Sequence, residues 1–95
     1  MFNLKKDINQ TKQVVYQYVI DLAPEHKEKV TNDTNLFEEG ILDSLGVVAL
    51  INFIEIHYKI EIDDADFEMD LFESVNAISK FLHEKYFDVE EESIV

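Results

Sequence analysis

The chain has 95 residues, 46% of them hydrophobic, which is enough for one small domain around a single core. Its 21 acidic and 8 basic side chains give a formal net charge of −13, and such a surface repels the phosphate backbone of nucleic acids. The absence of cysteine excludes a disulfide framework, a thiolate metal site and a nucleophilic thiol.

The same bulk properties favour a monomeric cytoplasmic protein. No apolar block follows the charges near the N-terminus, so we expect no secretory signal. The longest uncharged run, Ser44 to Ile54, is far shorter than the ~20 residues needed to cross a bilayer, so we expect no membrane insertion. The acidic surface favours fast encounters with basic patches on partner proteins, or it serves solubility alone.

The first predicted element is an amphipathic helix that ends before Pro24, because the residue preceding a proline is pushed away from helical dihedrals. Its apolar residues recur at helical intervals, at Leu4, Ile8, Val15, Val19 and Leu22. A long connection from Ala23 to Asp43 follows, and loops of this length are often functional. We expect its apolar residues to hold it against the core, namely Leu36, Phe37, Ile41 and Leu42.

A second helix is predicted from Ser44 to Tyr58. Its inward face consists of Val47, Leu50, Ile51, Ile54 and Tyr58. Leu45, Val48 and Asn52 fall on another face. Two apolar residues beside a reactive-looking serine indicate a docking surface.

Two further helices complete the predicted all-α fold. Within the acidic stretch from Glu61 to Glu73, we expect a short third helix around Asp66 to Leu71. Ser74 is typical of an N-cap for a last helix, whose inward residues are Val75, Ile78, Leu82 and Tyr86. We therefore expect one four-helix domain over residues 1–87, followed by an acidic, frayed tail at 88–95.

Catalysis and metal binding are both disfavoured. A Gly-x-Ser-x-Gly elbow would need glycine where Leu42 stands and a strand before it, and a domain this small predicts no evident pocket. The acids after Asp64 fail the calcium-loop pattern, because its glycine position is Met69. His57 and His83 have no partner at helical spacing, and both are expected at the surface or half-buried. We expect no metal site.

Ser44 remains as a candidate attachment point. A helix N-terminus presents unpaired backbone N–H groups and the positive end of the helix dipole, which favour an anion such as a phosphodiester. The neighbouring charge of Asp43 opposes this effect. Alternatively, Asp43 or Ser44 is merely the N-cap of the helix.

The chain resembles the acyl carrier proteins, small acidic four-helix proteins that bear 4′-phosphopantetheine on a serine. The resemblance covers nearly the whole chain, and its central motif is Asp43-Ser44-Leu45. The other matching positions are Leu36-Phe37, Gly40, Leu50, Ile54, Glu55, Tyr58, Ile60, Ile62, Asp63-Asp64, Ser74-Val75 and Ile78.

This resemblance implies a carrier with no catalytic residue of its own, whose thioester-forming thiol comes from 4′-phosphopantetheine on Ser44. It implies that Asp43 and Leu45 help present Ser44 to a phosphopantetheinyl transferase, an acyl- or aminoacyl-loading enzyme and downstream transferases or synthases. We expect the docking surface to consist of Asp43, Leu45 and Val48, with Glu38 and Glu39 nearby. The main interpretation is a free-standing acyl carrier in fatty-acid or specialised metabolism.

Two alternatives stay open. Gly46, and the long acid- and Phe-rich connection before Ser74, are similar to free-standing carriers of D-alanine or other amino acids, and the small glycine would allow close approach of a partner or the arm. Between Ser44 and Tyr58 the only acid is Glu55, unlike the acidic second helix of fatty-acid carriers, so a dedicated partner is indicated. The second alternative is a non-carrier acidic interaction module.

Overall fold

The computed structural model describes residues 7–87 of the chain. Leu4 of the predicted first stripe and the predicted frayed tail at 88–95 lie outside these residues. The described part contains three α-helices and no strand, which confirms the all-α class. None of its helices has the length and hydrophobicity required to span a bilayer.

Helix α1 spans Ile8–Leu22. Asp7 is its N-cap, because the Asp7 carboxylate accepts a hydrogen bond from Asn9 N at 2.9 Å. Val15 and Val19 are buried, as the apolar stripe predicted. Leu22 is exposed, so its predicted inward position is wrong. It lies in the last turn, where the chain leaves the helix, and Ile20 is the residue buried at this end instead.

The predicted long connection between the first two helices is present, with one 3₁₀ turn at Pro24–His26. Its apolar side chains hold it against the core: Val30, Leu36, Ile41 and Leu42 are buried, and Phe37 is half-buried. Two backbone hydrogen bonds tie it to the far end of the chain, from Leu36 N to Glu73 O at 2.7 Å and from Asn76 N to Asn32 O at 3.0 Å. These contacts fix the segment that leads into the second helix.

Helix α2 spans Ser44–Tyr58, which are the predicted bounds. It ends at Lys59, whose backbone adopts the left-handed conformation common at helix C-termini, with φ of 58°. The predicted inward face is confirmed, because Leu50, Ile51 and Ile54 are buried while Val47 and Tyr58 are half-buried. This helix packs against α1.

The predicted short third helix is not an α-helix. Two 3₁₀ turns, Asp64–Asp66 and Met69–Phe72, occupy this region. The Asp63 carboxylate caps the first turn by accepting a hydrogen bond from Ala65 N at 3.0 Å. The backbone is extended at Glu68, with ψ of 139°, so a continuous helix cannot run through both turns. Residues 59–74 are called the α2–α3 connection below.

Helix α3 spans Val75–Leu82 and continues as one π-helical turn over His83–Phe87. The predicted cap is confirmed, since Ser74 Oγ accepts from Ala77 N at 3.0 Å. His83 is only 5% exposed, so its expected surface or half-buried position is wrong. Its Nε2 lies 2.9 Å from Oγ1 of the buried Thr11, and this polar pair joins the π turn to α1 in the core.

Candidate functional site

Asp43 and Ser44 have different roles at the start of α2. The Asp43 backbone is extended, and its Oδ1 accepts a hydrogen bond from Gly46 N at 2.8 Å. Asp43 is therefore the N-cap, which decides between the two capping candidates. Ser44, the first helical residue, is not needed for capping, and its side chain is exposed to solvent.

The position of Ser44 favours an attached anion. It stands at the N-terminal end of a helix of 15 residues, where the backbone N–H groups of the first turn and the helix dipole lower the energy of negative charge. The Asp43 carboxylate is directed at Gly46 N, within the same turn. The exposed hydroxyl of Ser44 therefore suits a phosphodiester that an enzyme adds from outside.

Gly46 is explained by packing inside this turn. A Cβ atom at Gly46 would lie 3.0 Å from Leu42 Cδ2 and 3.4 Å from Asp43 Oδ1. Leu42 is buried and leads the connection into the core just before the cap. The glycine thus lets the capping residue and Leu42 lie close against α2.

A small apolar recess opens beside Ser44. Its volume is about 170 Å³, and Ser44 and Glu68 line it together with six apolar side chains: Val47, Val48, Ile51, Phe67, Met69 and Phe72. The expectation of no evident pocket is therefore wrong. The sequence did not indicate that Phe67, Met69 and Phe72 belong to the site. The only signal they gave is that they are among the few apolar residues of a mostly acidic segment. This cavity is called the Ser44 recess below.

The outward face of α2 carries several exposed apolar side chains. Leu45, Val48 and Ile56 are 79%, 62% and 69% exposed, and Asn52 lies between them. The surface predicted from Leu45 and Val48 thus extends to Ile56. Val48, Asn52 and Ile56 follow one another at four-residue intervals, so they lie on the same face of the helix. An exposed apolar surface of this kind is typical of protein contacts.

The acids on α2 and on the segment before it have different environments. Glu55 is tied to the fold, because its Oε2 accepts a hydrogen bond from Ile62 N at 2.9 Å. Glu38 and Glu39 are exposed on the turn that precedes Ile41, where Asn35 Oδ1 accepts from Glu38 N at 3.0 Å. Within residues 7–87, no group of three or more His, Asp or Glu side chains is arranged to hold a metal ion.

Comparison with known proteins assigns this chain to a family. The family model described as a phosphopantetheine attachment site matches residues 13–82. The chain therefore belongs to the family of phosphopantetheine-binding carrier proteins. It is a carrier rather than an enzyme, and its cofactor is 4′-phosphopantetheine bound covalently to a serine. Carriers of this family work with a phosphopantetheinyl transferase and with loading enzymes.

Its similar relatives have a more specific description. The D-alanyl carrier protein of Bacillus licheniformis is 35% identical over 72 residues, which cover 76% of this chain and 92% of the relative. The D-alanyl carrier protein of Bacillus mycoides is 38% identical over 72 residues, which cover 72% of this chain and 91% of the relative. The chain thus spans nearly the whole length of these relatives.

Proposed function

We propose that this chain is a free-standing aminoacyl carrier of the D-alanyl type, with its phosphopantetheine arm on Ser44. The observation that carries the choice of residue is exposure. The serines within the matched residues 13–82 are Ser44, Ser74 and Ser79. Ser79 is fully buried, and Ser74 is nearly buried with its Oγ occupied as the cap of α3. Ser44 alone among these three presents an accessible hydroxyl at a helix N-terminus.

The similarity to D-alanyl carriers favours the aminoacyl alternative over the general acyl carrier that was the main sequence-based interpretation. The size of the Ser44 recess supports the same choice. Its volume of about 170 Å³ is below the ~300–1,000 Å³ of pockets that enclose a drug-sized ligand. A small tethered group fits such a recess better than a long acyl chain does.

The chain's own contribution to transfer is presentation of the group. The arm supplies a thiol that bears the aminoacyl group as a thioester, a function that this cysteine-free chain cannot provide. The capped first turn holds Ser44 at the surface, and the tether raises the local concentration of the carried group at each partner's active site. The bundle itself makes and breaks no bond.

The docking surface in this proposal is the outward face of α2. An enzyme acting on Ser44 must approach the N-terminus of the helix, where Leu45 and Val48 are exposed. We include Ile56 because it continues the same surface. Asp43, Glu38 and Glu39 supply negative charge at its edge, which suits a partner with an apolar centre and a basic rim.

The location and association state belong to the same proposal. We propose that the carrier acts in the cytoplasm as a monomer. Each copy carries a net charge of −13, and self-repulsion of that size opposes association of identical chains.

Co-expression with a broad-specificity phosphopantetheinyl transferase tests the attachment site. Intact mass should rise by one phosphopantetheine in the wild-type chain and in Ser93→Ala, a control serine outside the matched residues. Ser44→Ala should show no gain. A gain that persists in Ser44→Ala would overturn the assignment.

The carried group is tested on protein from its native cells. Hydroxylamine releases groups held as thioesters, and the released compound can be identified by mass and by chiral chromatography. The proposal predicts D-alanine or another small amino acid. Release of a fatty acyl group would instead support the general acyl carrier. A chain without any phosphopantetheine would support the non-carrier interaction module.

A further inference from the structure

The α2–α3 connection forms the outer side of the Ser44 recess with little regular structure to hold it. The backbone hydrogen bonds made by residues 66–71 join residues two or three apart, as from Leu71 N to Glu68 O at 3.0 Å. Phe67 and Met69, which line the recess from this segment, are both partly exposed. Local turns alone do not fix such a segment relative to the helices.

Two side chains of the π turn reach across to this segment. Lys85 Nζ forms an ion pair with Asp66 Oδ2, one residue before Phe67. The Tyr86 hydroxyl accepts a hydrogen bond from Asp63 N at 2.9 Å. The groove that Lys85 and Asp66 line has no residue in common with the Ser44 recess, so the ion pair acts on the connection from outside that recess.

A run of ring contacts links the same turn to the recess itself. The Tyr86 ring meets the Phe81 ring edge-on, with centroids 5.7 Å apart. Phe81 in turn meets Phe72 edge-on, also at 5.7 Å, and Phe72 is buried and lines the Ser44 recess. Ring pairs at these separations attract each other. The π turn therefore contacts the connection directly at Asp63 and Asp66, and it is linked to Phe72 through the Phe81 ring of α3.

We propose that Lys85 and Tyr86 are positioning residues for the recess that receives the group carried on Ser44. They hold the first 3₁₀ turn of the connection, so that Phe67 and Met69 close the outer side of the recess over the end of the arm. This inference rests on the proposed attachment at Ser44. Lys85 and Tyr86 would thus influence which group the recess accepts, although they lie outside both the attachment motif and the docking surface.

The first test measures the anchor in the unloaded protein. Lys85→Met removes the ion pair, and Tyr86→Phe removes the hydroxyl while keeping the ring against Phe81. Amide hydrogen exchange in residues 66–71 should become about 2- to 5-fold faster in each variant, the size of effect that exposed ion pairs and single hydrogen bonds produce. Unchanged exchange in this segment would overturn the proposal.

Matched variants separate positioning from a general loss of charge or stability. Lys80→Met makes the same substitution on the same groove, but Lys80 has no ion-pair partner within residues 7–87. It should behave as wild type, and Lys85→Arg should restore slow exchange. Added salt should narrow the difference in exchange between wild type and Lys85→Met, because screening weakens the ion pair that only wild type has.

The second test places a reporter in the recess. A broad-specificity transferase attaches a pantetheine that ends in a small solvatochromic fluorophore, and intact mass confirms the attachment. Emission should shift to the red in Lys85→Met and Tyr86→Phe relative to wild type and Lys80→Met. Failure of the mass gain would contradict the attachment at Ser44. A normal mass gain with the same emission in all variants would overturn the positioning role alone.

Discussion

Asp43 combines a structural role with a proposed docking role, and two substitutions separate them. Asp43→Ala removes the 2.8 Å hydrogen bond to Gly46 N. Loss of an N-cap of this type costs about 1 kcal/mol of unfolding free energy, within a range of ~0.5–2 kcal/mol. In a domain of this size, each 1 kcal/mol lowers the melting temperature by about 4–8 °C. Thermal unfolding followed by far-ultraviolet circular dichroism measures this loss.

Asp43→Asn is the matched variant, because asparagine caps helices about as well as aspartate. It should retain most of the wild-type melting temperature, apart from the few tenths of a kcal/mol that the charge contributes at a helix N-terminus. If the charge also guides the transferase, this folded variant should still be modified more slowly than wild type, with a weaker salt dependence. A melting temperature of Asp43→Asn as low as that of Asp43→Ala would refute the capping role.

Three further predictions concern the fold. Thr11→Val removes one buried hydrogen-bond partner of His83 and should cost about 1–3 kcal/mol in urea unfolding, with Thr11→Ser largely retaining stability. Burial raises the pKa of Tyr58, so its stabilising contribution is complete below about pH 10 and falls as the pH rises through the folded-state pKa; Tyr58→Phe should flatten this fall. The net charge of −13 predicts a melting temperature that rises with added salt, and indifference to salt would rule out significant self-repulsion.

The helix boundaries that depend on local side-chain capping and apolar spacing were predictable from the sequence. Helix α2 has the predicted bounds, because Asp43 is a strong N-cap residue and the apolar face keeps helical spacing through Tyr58. Ser74 marked the start of α3 for the same reason. In both places, one side chain accepts a hydrogen bond from a backbone N–H group in its own turn. The helix start can therefore be predicted without knowledge of distant contacts.

The features that distant contacts decide were not predictable. His83 is buried because Thr11, far away in the sequence, supplies a polar partner in the core. The Ser44 recess exists because Phe67 and Met69 fold back beside α2, and the acidic segment around them gave no periodic signal for this. Extended backbone at Glu68 separates two 3₁₀ turns in the region where one short helix was predicted.

The central claim is that the exposed hydroxyl of Ser44 carries the phosphopantetheine. Tandem mass spectrometry of peptides from the protein purified from its own cells tests this most directly. The account predicts one phosphopantetheine, localised to the peptide that contains Asp43-Ser44-Leu45, with Ser74 and Ser79 unmodified. A chain without the group, or with the group on another residue, would contradict it.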